Sequence, residues 1–145
     1  MRKITSGPES ISLLSFVALN VLFAFLLGSV WWANMPGMLR DISWLGIVVV
    51  GQALVIIAGD FDLSVGSVFA FVSLVFVLLL QLGFGATPAM AAAVVLGALL
   101  GYVNGLLVWM MKLPSLLVTL GFLFVYRGLV HFFTGGFAAS IPNEL

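Results

Sequence analysis

The chain has 145 residues, 63% hydrophobic and 7% charged, with five basic and five acidic side chains. A soluble domain carries about 25% charged residues, so a soluble globular fold, a disordered chain and a nucleic-acid binder with a basic patch are excluded. Zero cysteines exclude a disulfide scaffold, a thiolate metal site and a cysteine nucleophile, and one histidine argues against a histidine-rich metal site.

A mean hydropathy of +1.32 marks an integral membrane protein. Residues 1–10, opening Met1-Arg2-Lys3 and polar through Ser10, are expected to form a cytoplasmic N-terminal tail. The apolar run after them is too long for a signal-peptide core, and no small-residue cleavage site follows Trp32. A helix needs about 20 mostly apolar residues to cross the hydrocarbon. Five stretches meet or approach that length: 11–32, 42–58, 65–84, 88–111 and 116–133. The second is short and fits only with flanking residues. Runs such as Phe69 to Leu80 lack the alternation of barrel strands. The expected fold is therefore all-α, a polytopic transmembrane bundle of about five spanning helices. With the N-terminus inside, Arg2, Lys3 and Lys112 are cytoplasmic, and Arg40, beside Asp41, falls in an outer loop flanked by Trp31, Trp32 and Trp44.

Between the second and third stretches lies Gly59-Asp60-Phe61-Asp62-Leu63-Ser64-Val65-Gly66-Ser67. Two compatible readings apply. Asp62 or Ser64 caps the third helix, or the turn is a break lining a polar pathway. The fourth stretch carries Ala89, Ala93, Gly97, Gly101 and Gly105 at four-residue spacing, a drifting face of small residues that reads as helix packing. On that reading Gly101→Leu disrupts packing more than Leu96→Ala does. Asn20, Gln52 and Asn104 are lone polar residues inside apolar runs. Asn20 reads as an interhelical hydrogen-bonding group. Gln52 and Asn104 divide between that role and a place on the pathway. Arg127, in the fifth stretch with His131 and Thr134 continuing its face, is either a snorkelling anchor or a group near the outer mouth.

There is no P-loop, no His-Glu-x-x-His and no Gly-x-Ser-x-Gly in the chain. No catalytic residue, metal site or cofactor is expected, and the chain cannot power itself with ATP.

Gly51-Gln52-Ala53-Leu54-Val55-Ile56-Ile57-Ala58-Gly59, running into Asp62-Leu63-Ser64-Val65-Gly66-Ser67, resembles a signature of ribose-type sugar ABC-importer permeases. Asn104-Gly105-Leu106-Leu107-Val108, Lys112-Leu113-Pro114-Ser115, Thr119-Leu120-Gly121, Arg127-Gly128 and Thr134-Gly135-Gly136 follow in the family's order, so the likeness covers roughly residues 45 to 136. The resemblance implies a permease subunit that forms part of a translocation pathway by alternating access. Its substrates would be pentoses, hexoses and related small polyols, including a furanose-like signalling molecule. Implied partners are a second permease subunit, cytoplasmic ATPase subunits, a periplasmic or extracellular sugar-binding protein and the lipid bilayer, with no nucleic acid. The implied location is the bacterial inner (plasma) membrane. The candidate pathway residues are Gln52, Asp60, Asp62, Ser64, Asn104 and Arg127; the candidate packing residues are Ala93, Gly97, Gly101 and Gly105.

Two departures stand out. Asp60 and Phe61 occupy positions where the family often has small residues. The match is to the N-terminal half of such permeases. Residues 11–136 would be a permease half-domain and 137–145 an outer tail at a truncation point, from a truncated gene product, a fragment or a split subunit. The alternative function is a small membrane scaffold or interaction bundle without transport activity. An intramembrane enzyme using Asp60 and Asp62 ranks third.

Overall fold

Apolar runs without strand alternation give helices, and among residues 8–140, which the computed structural model describes, there is no strand. The helices are α1 (Pro8–Leu27), α2 (Ser29–Ile57), α3 (Val65–Gln81), α4 (Ala86–Met111) and α5 (Ser115–Thr134). Four stretches are long and apolar enough to cross a membrane: Ser10–Leu27, Ser29–Ile57, Ala86–Met111 and Ser115–Thr134. The shorter apolar helix is Val65–Gln81. Its rise is about 25 Å, against about 30 Å of hydrocarbon. The expected stretch 65–84 stops early because Gly83 adopts φ +86°. There the Phe84 N–H bonds Leu79 O and the Gly83 N–H bonds Leu80 O, each at 3.0 Å, a Schellman closure.

The chain divides into two units, Met1–Ile47 and Val48–Leu145. In the first, the expected stretch 11–32 is broken at Gly28, whose φ of +52° a residue with a Cβ rarely adopts. The next helix begins at Ser29 and continues through 33–41, where an outer loop holding Arg40 and Asp41 was expected. Pro36 lies inside that helix. It removes one backbone donor, whereas a loop would leave many backbone groups to find partners elsewhere. Asn20 does not reach across helices: its Nδ2 donates to Phe16 O, one turn back, at 2.8 Å. Trp31 is buried and stacks on Phe23 with centroids 5.7 Å apart.

In the second unit α3 packs against both α4 and α5. Leu74, Leu80, Ala89, Ala93, Val118 and Tyr126 are buried there. Tyr126 stacks with Phe122 at 5.3 Å and Phe71 at 6.3 Å. Ala89 and Ala93 let α4 approach closely, and a Cβ on Gly97 would meet Val72 Cγ2 at 3.7 Å. At Gly101 and Gly105 a Cβ would meet nothing within 4 Å, and both are exposed in this chain. The small-residue stripe therefore packs in its first half and opens in its second. The clash expected from Gly101→Leu has no partner among the described residues. A four-residue step turns about 40° beyond a full helical turn, so successive members leave the face on which the stripe began.

Candidate functional site

The site grows from the end of α2. Gly59 takes φ +92°, the Asp60 N–H bonds Val55 O at 3.1 Å, and the Gly59 N–H bonds Ile56 O at 3.0 Å. This closure needs a glycine in the left-handed region, and it turns the chain toward α5. The following backbone is paired largely by side chains from other elements. The Phe61 N–H donates to Ser115 Oγ and the Leu63 N–H to Thr119 Oγ1, each at 3.1 Å. Thr119 Oγ1 in turn donates to Ser115 O at 2.8 Å. Gln52 Nε2 donates to Asp62 O at 2.6 Å.

A chain of side-chain hydrogen bonds then crosses three helices. Asp62 Oδ1 accepts from the Ser64 N–H at 2.7 Å and from the Ser64 hydroxyl at 2.6 Å. Asn104 Nδ2 donates to Ser64 Oγ at 2.7 Å. The Tyr126 hydroxyl donates to Asn104 Oδ1 at 2.8 Å. Ser64 is wholly buried, and Asn104, Thr119 and Tyr126 are nearly so. Direction is fixed by chemistry. A carboxylate only accepts, so the Ser64 proton goes to Asp62, and Ser64 Oγ takes its second bond from the Asn104 amide.

Ser64 is the N-cap residue of α3, yet its side chain makes no capping bond. Its hydroxyl turns inward instead, and Asp62 binds the amide of Ser64 itself rather than one in the first helical turn. The capping expectation gives way to an interhelical junction because Ser64 Oγ accepts from the Asn104 amide instead of from a first-turn N–H. Asn104 lies about two turns before the end of α4 at Met111, so α3 begins about 10 Å in from that end.

Beside the junction is a cleft of about 390 Å³. Asp60, Asp62, Asn104, Ser115 and Thr119 supply its polar lining, with Phe61 and Trp109 as its aromatic surfaces. Gly101 and Gly105 also line it, where side chains would narrow it. Gln52, Asp62, Ser64 and Asn104 thus come together at one junction, and Asp60 lies exposed on the cleft. Arg127 stands apart. It is exposed, does not line the cleft, and makes no hydrogen bond or ion pair among the described residues. The residues that sequence reasoning missed are Ser115, Thr119 and Tyr126. Their spacings of four and seven put them on one face of α5, the signal that would have exposed them. No group of three or more His, Cys, Asp or Glu able to hold a metal occurs among the described residues.

Residues 34–141 match a family model described as branched-chain amino acid transport system / permease component. The chain belongs to this permease family. Among curated relatives, the autoinducer 2 import system permease protein LsrC of Escherichia coli O157:H7 and that of Shigella flexneri are each 36% identical over 100 residues. The LsrC of Yersinia pestis (strain Pestoides F) is 34% identical over 100 residues. These alignments cover 68% of this chain and 28–29% of the relatives, so the chain matches less than a third of their length. No solved structure matches it. The resemblance drawn from the motifs agrees with the family, whose members are permease components of ABC transport systems and not enzymes. Membership and the four long apolar helices fit a multi-pass membrane protein.

Proposed function

We propose that this chain forms part of the translocation pathway of an ATP-driven ABC importer for a monosaccharide or similar small polyol, working by alternating access. The observation that carries the reading is the cleft of about 390 Å³, lined by two carboxylates, an amide and two hydroxyls, in a chain of a permease family. Its volume falls in the range of small-molecule pockets, about 300–1,000 Å³. Carboxylate and amide groups accept from sugar hydroxyls, and Phe61 and Trp109 offer apolar faces to C–H groups. The name of the LsrC relatives, autoinducer 2 import permeases, supports uptake of a small solute.

The cytoplasmic tail, five crossings with the N-terminus inside, and the bacterial inner membrane belong to the same proposal. So do a second permease subunit, ATPase subunits and a sugar-binding protein. Lys112 on the α4–α5 connection, with Arg2 and Lys3, supports that orientation.

The test is uptake of labelled ribose, glucose and xylitol by cells carrying the complete transporter. Asp62→Asn keeps an oxygen for Ser64 and turns the other carboxylate oxygen into a donor. A lost charged hydrogen bond of about 1.5–3 kcal/mol predicts at least a tenfold fall in uptake at equal membrane level. Unchanged uptake by Asp62→Asn and Asp60→Asn together would remove the cleft from the pathway.

A further inference from the structure

The hydrogen-bond chain is asymmetric at its cleft end. Asp62 Oδ1 receives both bonds from Ser64, while Oδ2 accepts none from the described residues. No buried side-chain nitrogen or oxygen among the described residues lacks a partner, so Oδ2 is open to the outside. Asp62 itself lines the cleft. At the opposite end Tyr126 is buried and is not among the cleft-lining residues; its hydroxyl bonds Asn104, which is.

We propose that Tyr126 is a positioning residue of this cleft: through Asn104 and Ser64 it fixes Asp62 so that Oδ1 is held within the protein and Oδ2 is presented to a hydroxyl-bearing solute. Each link has one workable direction. With the Tyr126 proton on Asn104 Oδ1, the amide nitrogen must face Ser64. With that donor on its oxygen, Ser64 must send its proton to Asp62 Oδ1. The Asp62 carboxylate sets the direction of the chain; without the Tyr126 hydroxyl the buried Asn104 Oδ1 loses its donor, and the amide that holds Ser64 is no longer braced from α5. An amide free to shift toward another donor for its oxygen would hold Ser64 Oγ less firmly, loosen the Ser64–Asp62 bonds and leave the carboxylate freer to rotate. The phenyl ring of Tyr126→Phe keeps the stack with Phe71 and Phe122, so the change isolates the hydroxyl. The identity of the solute rests on the importer reading above; the relay does not.

The test therefore has two arms. In the first, the full chain in lipid nanodiscs carries ¹³C-carboxyl aspartate, and Asp62→Asn identifies the Asp62 signal among the three aspartates. Tyr126→Phe is expected to shift or split that signal, whereas Val118→Ala, an apolar truncation of another buried residue on α5, leaves it in place. An unmoved signal in Tyr126→Phe overturns the proposal. In the second arm, uptake of labelled ribose, glucose and xylitol by the complete transporter is split into KM and Vmax. Tyr126→Phe is expected to raise KM roughly tenfold, the equivalent of one hydrogen bond to a charged group, with Vmax within about twofold. A shifted signal with an unchanged KM reduces Tyr126 to a structural role and also overturns the proposal. A shifted signal in a transporter whose wild type imports none of the three supports the relay and counts against sugar import.

Discussion

Asn104 and Tyr126 should be coupled in stability in a way that separates a shared hydrogen bond from two independent contacts. Asn104→Leu removes the donor to Ser64 and the acceptor for Tyr126. Ser64 still has Asp62 as acceptor, so its loss is one accepted bond, about 0.5–1 kcal/mol. Tyr126 fares worse. It is 3% exposed, its hydroxyl has no other partner among the described residues, and an orphaned buried donor costs about 1–3 kcal/mol. Tyr126→Phe alone leaves Asn104 Oδ1 bare at 3% exposure, a cost of about 1–2 kcal/mol. The double variant removes both orphans. Its destabilisation should fall short of the sum of the single effects by at least about 1–1.5 kcal/mol, a coupling that reaches toward the upper end of about 1.7 kcal/mol measured for hydrogen bonds between membrane helices. Titration of the chain from mild detergent into sodium dodecyl sulfate, followed by tryptophan fluorescence, reads this as roughly a tenfold difference in the unfolding constant. Single effects that add within about 0.5 kcal/mol would refute the reasoning, because additivity is the mark of sites without a shared partner.

Three further outcomes follow from the same geometry. Gly59→Ala should destabilise by about 1 kcal/mol or more and Gly66→Ala should stabilise by up to about 1, though neither Cβ meets an atom within 4 Å. Only Gly59 needs positive φ, and the same titration reads the opposite signs. Thr119→Val should cost about 1–2 kcal/mol and speed amide exchange at Leu63, while Ser115→Ala costs under about 0.5, since its partner Phe61 is exposed to compensating solvent. Gly97→Leu should destabilise by about 1–3 kcal/mol through overpacking against Val72, whereas Gly101→Leu should leave stability nearly unchanged and block uptake by filling the cleft.

Much of this is legible in the sequence. The lack of alternation in the apolar runs dictated helices, and the Gly59–Ser67 turn declared itself by placing two carboxylates between hydrophobic segments. Gln52 and Asn104 stand out by the cost of a lone polar group in an apolar run, and Ser64 as a candidate cap in that turn. Other features were hidden for physical reasons. Asn34, Pro36, Gly37, Arg40 and Asp41 have the composition of a loop, yet α2 runs through them. Continuing the ladder keeps backbone groups paired at the loss of a single proline donor. Tyr126 was concealed by its neighbours: in a run holding Phe122, Phe124 and Phe132, an aromatic residue reads as core or interface. Its hydroxyl acquires meaning only when another helix sets an amide 2.8 Å away.

The stripe on α4 shows how one pattern can yield both a contact and an opening. At about 100° per residue, Ala89, Ala93, Gly97, Gly101 and Gly105 advance by about 40° at each step, so the last lies about 160° from the first. Asn104, seven residues after Gly97, returns to within about 20° of it. The face toward α3 is therefore Ala89, Ala93, Gly97 and Asn104, three small residues for close approach and one amide for Ser64. Gly101 and Gly105 rotate off that face and border the cleft. A strict period of four, which looks like a single packing seam when counted along the sequence, builds the tight end of the unit and leaves its polar end open.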